Sequence, residues 1–167
     1  GDGPGGQGGM RGGGRKGDGG GRLSAGWVSQ DAGKFKGRTA RLGAQCPVLG
    51  HLPGAQGQGA LVMGENIGDL GGLSLALDAY HASLHGKPAP VIDGLTGDQR
   101  FYAGFAQAFR EKARENAMIE QIKSDPHSIS VDRVMGAVVN QPGFYEAYGV
   151  KSGDKMYVAP EKRVIIW

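Results

Sequence analysis

The strongest helical periodicity lies in the middle of the chain. From Glu65 to His85 the sequence reads ENIGDLGGLSLALDAYHASLH, and Ile67, Leu70, Leu73, Leu77 and Leu84 recur at helical spacing. That pattern predicts a buried helix, closed by Gly86 and Pro88. Ahead of it, SQDAGKFKGRTARLGAQC sets Phe35, Ala40 and Leu42 among basic residues. This is a weakly amphipathic helix softened by Gly33, Gly37 and Gly43, since a mid-helix Gly costs about 1 kcal/mol relative to Ala. The segment between the two, PVLGHLPGAQGQG, is turn chemistry throughout.

Downstream, TGDQRFYAGFAQAFREKARENAMIEQIKSDP predicts one further helix. Thr96 and Gln99 have capping-box spacing, and Phe101, Phe105 and Phe109 share a face. Asp125-Pro126 ends it, because the residue before proline is pushed out of the α region. The remainder divides into shorter pieces: VDRVMGAVVN, a turn of helix in PGFYEAYGV, and DKMYVAPEKRVIIW. The apolar end of that tail, Val164 to Trp167, reads as strand-like or packed. No internal repeat is visible, and the body is expected to be mainly α.

Composition changes this picture at the amino terminus. Of 33 glycines in 167 residues, 13 fall in the first 22, a stretch with high ordering entropy and almost nothing to bury. Residues 1–24 are therefore expected to be disordered, and residues 25–167 to form one domain. Residues 1–41 carry eight Lys/Arg against three Asp, so the overall charge of +3 is a basic head on a mildly acidic body. The head, MRGGGRKGDGGGR, has the look of Arg/Gly-rich RNA-binding segments, but no aromatic residue precedes Trp27 to stack on a base, and no nucleic-acid partner is expected. No apolar run is long enough to span a membrane, and no signal-peptide h-region is present. The lone Cys46 has no partner for an intrachain disulfide and reads as a small apolar or surface residue.

The candidate chemistry starts with Glu65 and Asp69. Residues four apart share a helix face, so both carboxylates point the same way and need a cation between them. A carboxylate on an apolar helix is a candidate Zn²⁺ ligand, and a second one turn on can hold a ligating histidine in the correct tautomer. The alternative is an acidic first turn stabilised by the helix macrodipole. His81 and His85 are also four apart. Sixteen residues separate Glu65 from His81, about 24 Å along a continuous helix, so that pair reads as helix surface. His51 lies in a Gly/Pro loop with no usable geometry.

The stretch GENIGDLGGL resembles the third-ligand motif of the neprilysin-type zinc metallopeptidases, with Gly68 where that family usually has Ala. The resemblance implies that Glu65 binds the catalytic zinc and that Asp69 hydrogen-bonds a zinc-binding histidine. TGDQRFYAGFAQAFREK is similar to the family's next helix, and SDPHSISVDR resembles the segment whose His stabilises the tetrahedral oxyanion and whose Arg grips a substrate backbone carbonyl. Those positions are His127 and Arg133. The tail, down to Trp167, resembles the family's carboxyl terminus without its animal-type cysteine. Together these blocks imply a peptide substrate, an extracytoplasmic location, and a mainly α fold that is the carboxyl-terminal part of a zincin-like catalytic domain.

The resemblance also implies what is missing. GRKGDGGGRLSAGW is similar to the stretch that follows the family's H-E-x-x-H helix, whose histidines supply two ligands and whose Glu is the general base. Reading back without gaps, Pro4, Gly5 and Gly8 stand at those three positions. One carboxylate does not hold catalytic zinc; three protein ligands and a water are usual. The expectation is a fragment of a zinc metalloendopeptidase, inactive as written, that lacks the amino-terminal part of the peptidase and leaves an apolar face exposed on the Glu65 helix. The alternative is a non-catalytic relative that still binds peptides through Arg133.

Overall fold

A computed structural model describes residues 16–17, 23–24, 28–49 and 59–166 of the chain, with side chains for 28–45 and 61–166. Two short strands, β1 (Lys16–Gly17) and β2 (Leu23–Ser24), pair antiparallel. The rest of segment 1–24 lies outside the described residues, as do His51 and Trp167, and so does the side chain of Cys46. Six helices follow among the described residues: α1 (Ser29–Leu49), α2 (Gly59–Ser83), α3 (Gly97–Ala108), α4 (Glu115–Ser124), α5 (Ser130–Val138) and α6 (Pro142–Tyr148). A 3₁₀ turn at Pro160–Lys162 precedes the tail. The body is mainly α.

The helix boundaries differ from the sequence reading at four places. The first helix continues through Leu49, past the start of the expected turn region. The central helix begins at Gly59, six residues before Glu65, because Val62 and Met63 extend its buried stripe toward Leu42. It ends at Ser83, and both His85 and Gly86 have positive φ. The expected single helix from Thr96 to Asp125 is two helices. The capping box at Thr96 and Gln99 forms, but the Phe109 N–H turns back to Ala106 and Gln107 and stops α3. Residues 110–114, Arg-Glu-Lys-Ala-Arg, are all exposed, so no buried side chain in that stretch holds a helix in place, and α4 starts afresh at Glu115.

Two apolar clusters hold the helices. Leu42 of α1 and Met63, Ile67 and Leu70 of α2 pack with Val164 and Ile166 of the tail. Leu73 of α2, Tyr102 of α3, Ala137, Val138 and Val139, and Phe144 and Tyr145 of α6 form the other. Between them sits a polar clasp centred on Asn140, which is 1% exposed. Its amide donates to Gln45 Oε1 and Gly136 O, each at 2.8 Å, and its oxygen accepts from the Val164 N–H at 2.7 Å. The Arg38 guanidinium adds a bond to Ile166 O at 2.7 Å. The tail is therefore packed, with Val164 and Ile166 inward and Ile165 outward. On α2, Gly68, Gly72, Leu75, Ala76 and Ala79 form an exposed small and apolar face beside Glu65.

Gly143 marks a close approach. A Cβ there would lie 2.8 Å from the Tyr102 hydroxyl and 3.0 Å from Leu77 Cδ2. That hydroxyl is buried without a hydrogen-bond partner, and burial, with Asp98 and Glu146 nearby, pushes its pKa up to about 12. We expect Gly143→Ala to destabilise the fold by about 1–3 kcal/mol in urea denaturation. Adding Tyr102→Phe, which deletes the clashing and unsatisfied oxygen, should recover part of that loss. Gly104→Ala, where a Cβ meets nothing within 4 Å, should raise stability by about 0.5–1 kcal/mol. Equal effects at Gly143 and Gly104 would contradict this packing.

Candidate functional site

The four residues singled out from the sequence meet at one place. Glu65 and Asp69 project from the middle of α2, Arg133 comes from α5, and His127 from the loop between α4 and α5. Glu65 is the seventh residue of α2, beyond the reach of an effect that falls off within the first turn. The macrodipole therefore does not account for the two acids.

The cation between them is Arg133. Its Nε donates to Asp69 Oδ2 at 2.6 Å and its Nη2 to Asp69 Oδ1 at 2.7 Å, a two-pronged pairing. The same Nη2 lies 3.7 Å from Glu65 Oε2. The guanidinium matches a carboxylate in shape, which makes such a fork stronger and more directional than a point-charge contact. Asp69 and Arg133 are only 11% and 18% exposed at their side chains, so little water screens them. Asp69's hydrogen bonds raise the Arg133 pKa further above its ordinary value. Arg133 also lies with Cζ 4.8 Å from the centre of the Phe109 ring.

His127 is placed by its own loop. Its N–H donates to Asp125 Oδ1 at 2.7 Å, and its Nδ1 lies 2.7 Å from the same oxygen. This is an Asx turn, the backbone mimicry that Asp favours two residues before its partner. The other ring nitrogen, Nε2, faces Glu65 Oε2 at 3.3 Å. The His127 N–H, and then the ring, hold the Asp125 carboxyl below its ordinary pKa. The sequence reading overlooked Asp125, although the Asp-x-His spacing in SDPHS was a legible signal for this turn.

His81 and His85 stand apart from this site. His81 Nε2 contacts Asp98 Oδ1 at 2.8 Å and joins the end of α2 to the start of α3. His85 lies beyond the helix at a φ of 50°, so the two do not form an i, i+4 pair on one helix.

Zinc does not fit the described residues. Among them no group of three or more His, Cys, Asp and Glu side chains is arranged to hold a metal ion. Glu65 faces an imidazole and a guanidinium, and Asp69 is engaged by Arg133. Positions 4–8, Pro-Gly-Gly-Gln-Gly, lie outside the described residues and contain no side chain that ligates zinc.

The helical architecture is that of the carboxyl-terminal part of a zinc metalloprotease. It superposes on a zinc metalloprotease of Mycobacterium tuberculosis, solved in complex with inhibitor, with a TM-score of 0.84 and 46% identity over 90% of this chain and 24% of that one. Residues 9–164 match Peptidase family M13, and the chain belongs to that family. Human neprilysin is 32% identical over 152 residues, 84% of this chain and 19% of neprilysin. The neutral endopeptidase of Lactobacillus helveticus is 31% identical over 147 residues, 88% of this chain and 21% of that protein. The chain thus spans less than a quarter of the length of these relatives.

Two outcomes follow from the pairing geometry. Asp69→Ala leaves the Arg133 guanidinium half-desolvated and should cost about 2–4 kcal/mol, whereas Glu65→Gln, which loses a longer contact, should cost under about 1 kcal/mol. Denaturant midpoints separate the two, and equal costs would contradict the unequal pairing. For Asp125, a folded pKa below the unfolded one contributes stability that is present above the unfolded pKa and lost as pH falls through the folded value. Asp125→Asn should therefore lower stability near neutrality and flatten the acid limb below about pH 4, with the two curves converging as pH falls below the folded Asp125 pKa.

Proposed function

We propose that these 167 residues are the carboxyl-terminal part of a zinc-dependent metalloendopeptidase that cleaves peptide bonds in oligopeptides, and that on their own they do not cleave them. The observation that carries this reading is the convergence of Glu65, Asp69, His127 and Arg133 on one site in a chain of Peptidase family M13. In this reading Glu65 is the surviving zinc ligand and Asp69 the group that orients a ligating histidine. His127 stabilises the oxyanion with a directed donor, and Arg133 grips a substrate carbonyl through its guanidinium fork. Catalysis needs the two histidines and the general base supplied by an H-E-x-x-H helix, and the chain has Pro4, Gly5 and Gly8 at the matching positions.

A non-catalytic peptide-binding role is the second reading. It is supported by an apolar groove of about 300 Å³ beside Phe109, lined also by Met118, Ile129, Val131 and Val134, and Phe109 itself carries the Arg133 guanidinium with Cζ 4.8 Å from its ring centre. An extracytoplasmic location is inferred from the relatives; among the described residues no helix is long and apolar enough to cross a membrane.

The test is metal content and hydrolysis measured on the same purified chain. We expect less than about 0.1 zinc per chain after dialysis against micromolar zinc and no cleavage of a quenched fluorescent peptide library above buffer. Stoichiometric zinc with cleavage abolished by Glu65→Gln would contradict the inactive reading. Saturable binding of an uncleaved peptide, lost in Arg133→Ala, would select the second reading.

A further inference from the structure

The loop that carries His127 has no sheet or helix ladder of its own, so something must fix it relative to the helix that carries Glu65. The Asx turn at Asp125 orients the ring within the loop. It does nothing to place the loop against α2, because both partners move together. Ile129, 2% exposed, anchors the far end of the loop by burial, but apolar contact is not directional.

We propose that Asn66 is a positioning residue, tying the His127 loop to the Glu65 helix through Ser128. The proposal rests on the reading that Glu65 and His127 serve one site. Ser128 Oγ donates to Asn66 Oδ1 at 3.1 Å, a bond between residues 62 apart in sequence. Ser128 is 9% exposed and one of few buried polar residues among those described. Neighbouring residues on an α-helix are rotated by about 100°, so Asn66 faces Ser128 while Glu65 faces the adjacent His127. The same two turns of α2 thus hold the acid and set the distance to the imidazole. Gln121 of α4 reaches the His127 and Ser128 carbonyls from the other side only at 3.5 and 3.3 Å, close to the limit of a hydrogen bond. The tie from α2 is the shorter one.

The side-chain type fits this task. An amide oxygen accepts as well as a carboxylate oxygen but carries no charge. Asp at position 66 would crowd a further carboxylate against Glu65 and Asp69, which already share one guanidinium. An aliphatic residue would leave the Ser128 hydroxyl buried and unpaired.

The test uses the whole ¹⁵N-labelled chain and reads the imidazole signals of its four histidines. We expect nuclear Overhauser contacts between the His127 ring and the Glu65 methylenes in the unaltered chain. Those contacts should be lost, and the His127 ring shifts should move, in both Asn66→Ala and Ser128→Ala. The fraction of chains with the loop released should rise about five- to tenfold. His81, held by Asp98, should keep its signals. Ser128→Thr restores the hydroxyl and should restore the contacts, which a loss of general packing would not do. If Asn66→Ala fails to fold, the Ser128 pair decides alone. Unchanged His127 contacts in folded Ser128→Ala, or failure of Ser128→Thr to restore them, would overturn the proposal. Failure of the peptidase reading would instead show in the zinc and hydrolysis measurements on the unaltered chain, which these variants do not enter.

Discussion

Two carboxylates one turn apart on a half-buried helix repel each other unless a cation sits between them, and in this chain the cation is the guanidinium of Arg133. The pairing joins residues 64 apart in sequence, so the fold has to deliver α5 to the side of α2 with hydrogen-bond accuracy. The core does this. Leu73 of α2 and Ala137, Val138 and Val139 at the end of α5 share one apolar cluster, while the Asn140 clasp ties the end of α5 to α1 and the tail. Each is non-directional or remote from the site, yet together they bring α5 to the side of α2 where the Arg133 guanidinium reaches Asp69.

The same constraint explains the state of the site. In the family's arrangement, as the sequence resemblance implies it, Asp69 serves a histidine and Glu65 serves a metal. Here Arg133 takes both oxygens of Asp69, and Arg133 and His127 both approach Oε2 of Glu65. Carboxylates in a partly buried position need partners, and here the groups that the family reading assigns to substrate carbonyl and oxyanion supply them. The small and apolar α2 face beside Glu65 is left open to solvent.

Much of this was legible in the sequence because it depends on spacing. The shared face of Glu65 and Asp69 follows from helical periodicity, the Thr96 cap from Thr-x-x-Gln, and the packing of the tail from its apolar end. What was not legible depends on contacts distant in sequence. The early start of α2 is set by Leu42 packing on Met63, which no local window contains. The break after Phe109 falls where the Arg-Glu-Lys-Ala-Arg stretch buries no side chain, although its helix propensity is good. The sequence called for a cation between the acids; that Arg133 supplies it is set by how α5 packs.

The most direct measurement of the central claim is the Arg133 Nε–H resonance in the ¹⁵N spectrum of the labelled chain, recorded before and after one equivalent of zinc. A guanidinium locked on Asp69 should give a shifted, slowly exchanging Nε–H signal that zinc leaves in place. If that signal is absent, or if equimolar zinc releases it into fast exchange, the acids answer to a metal and the account of Arg133 as their cation is wrong.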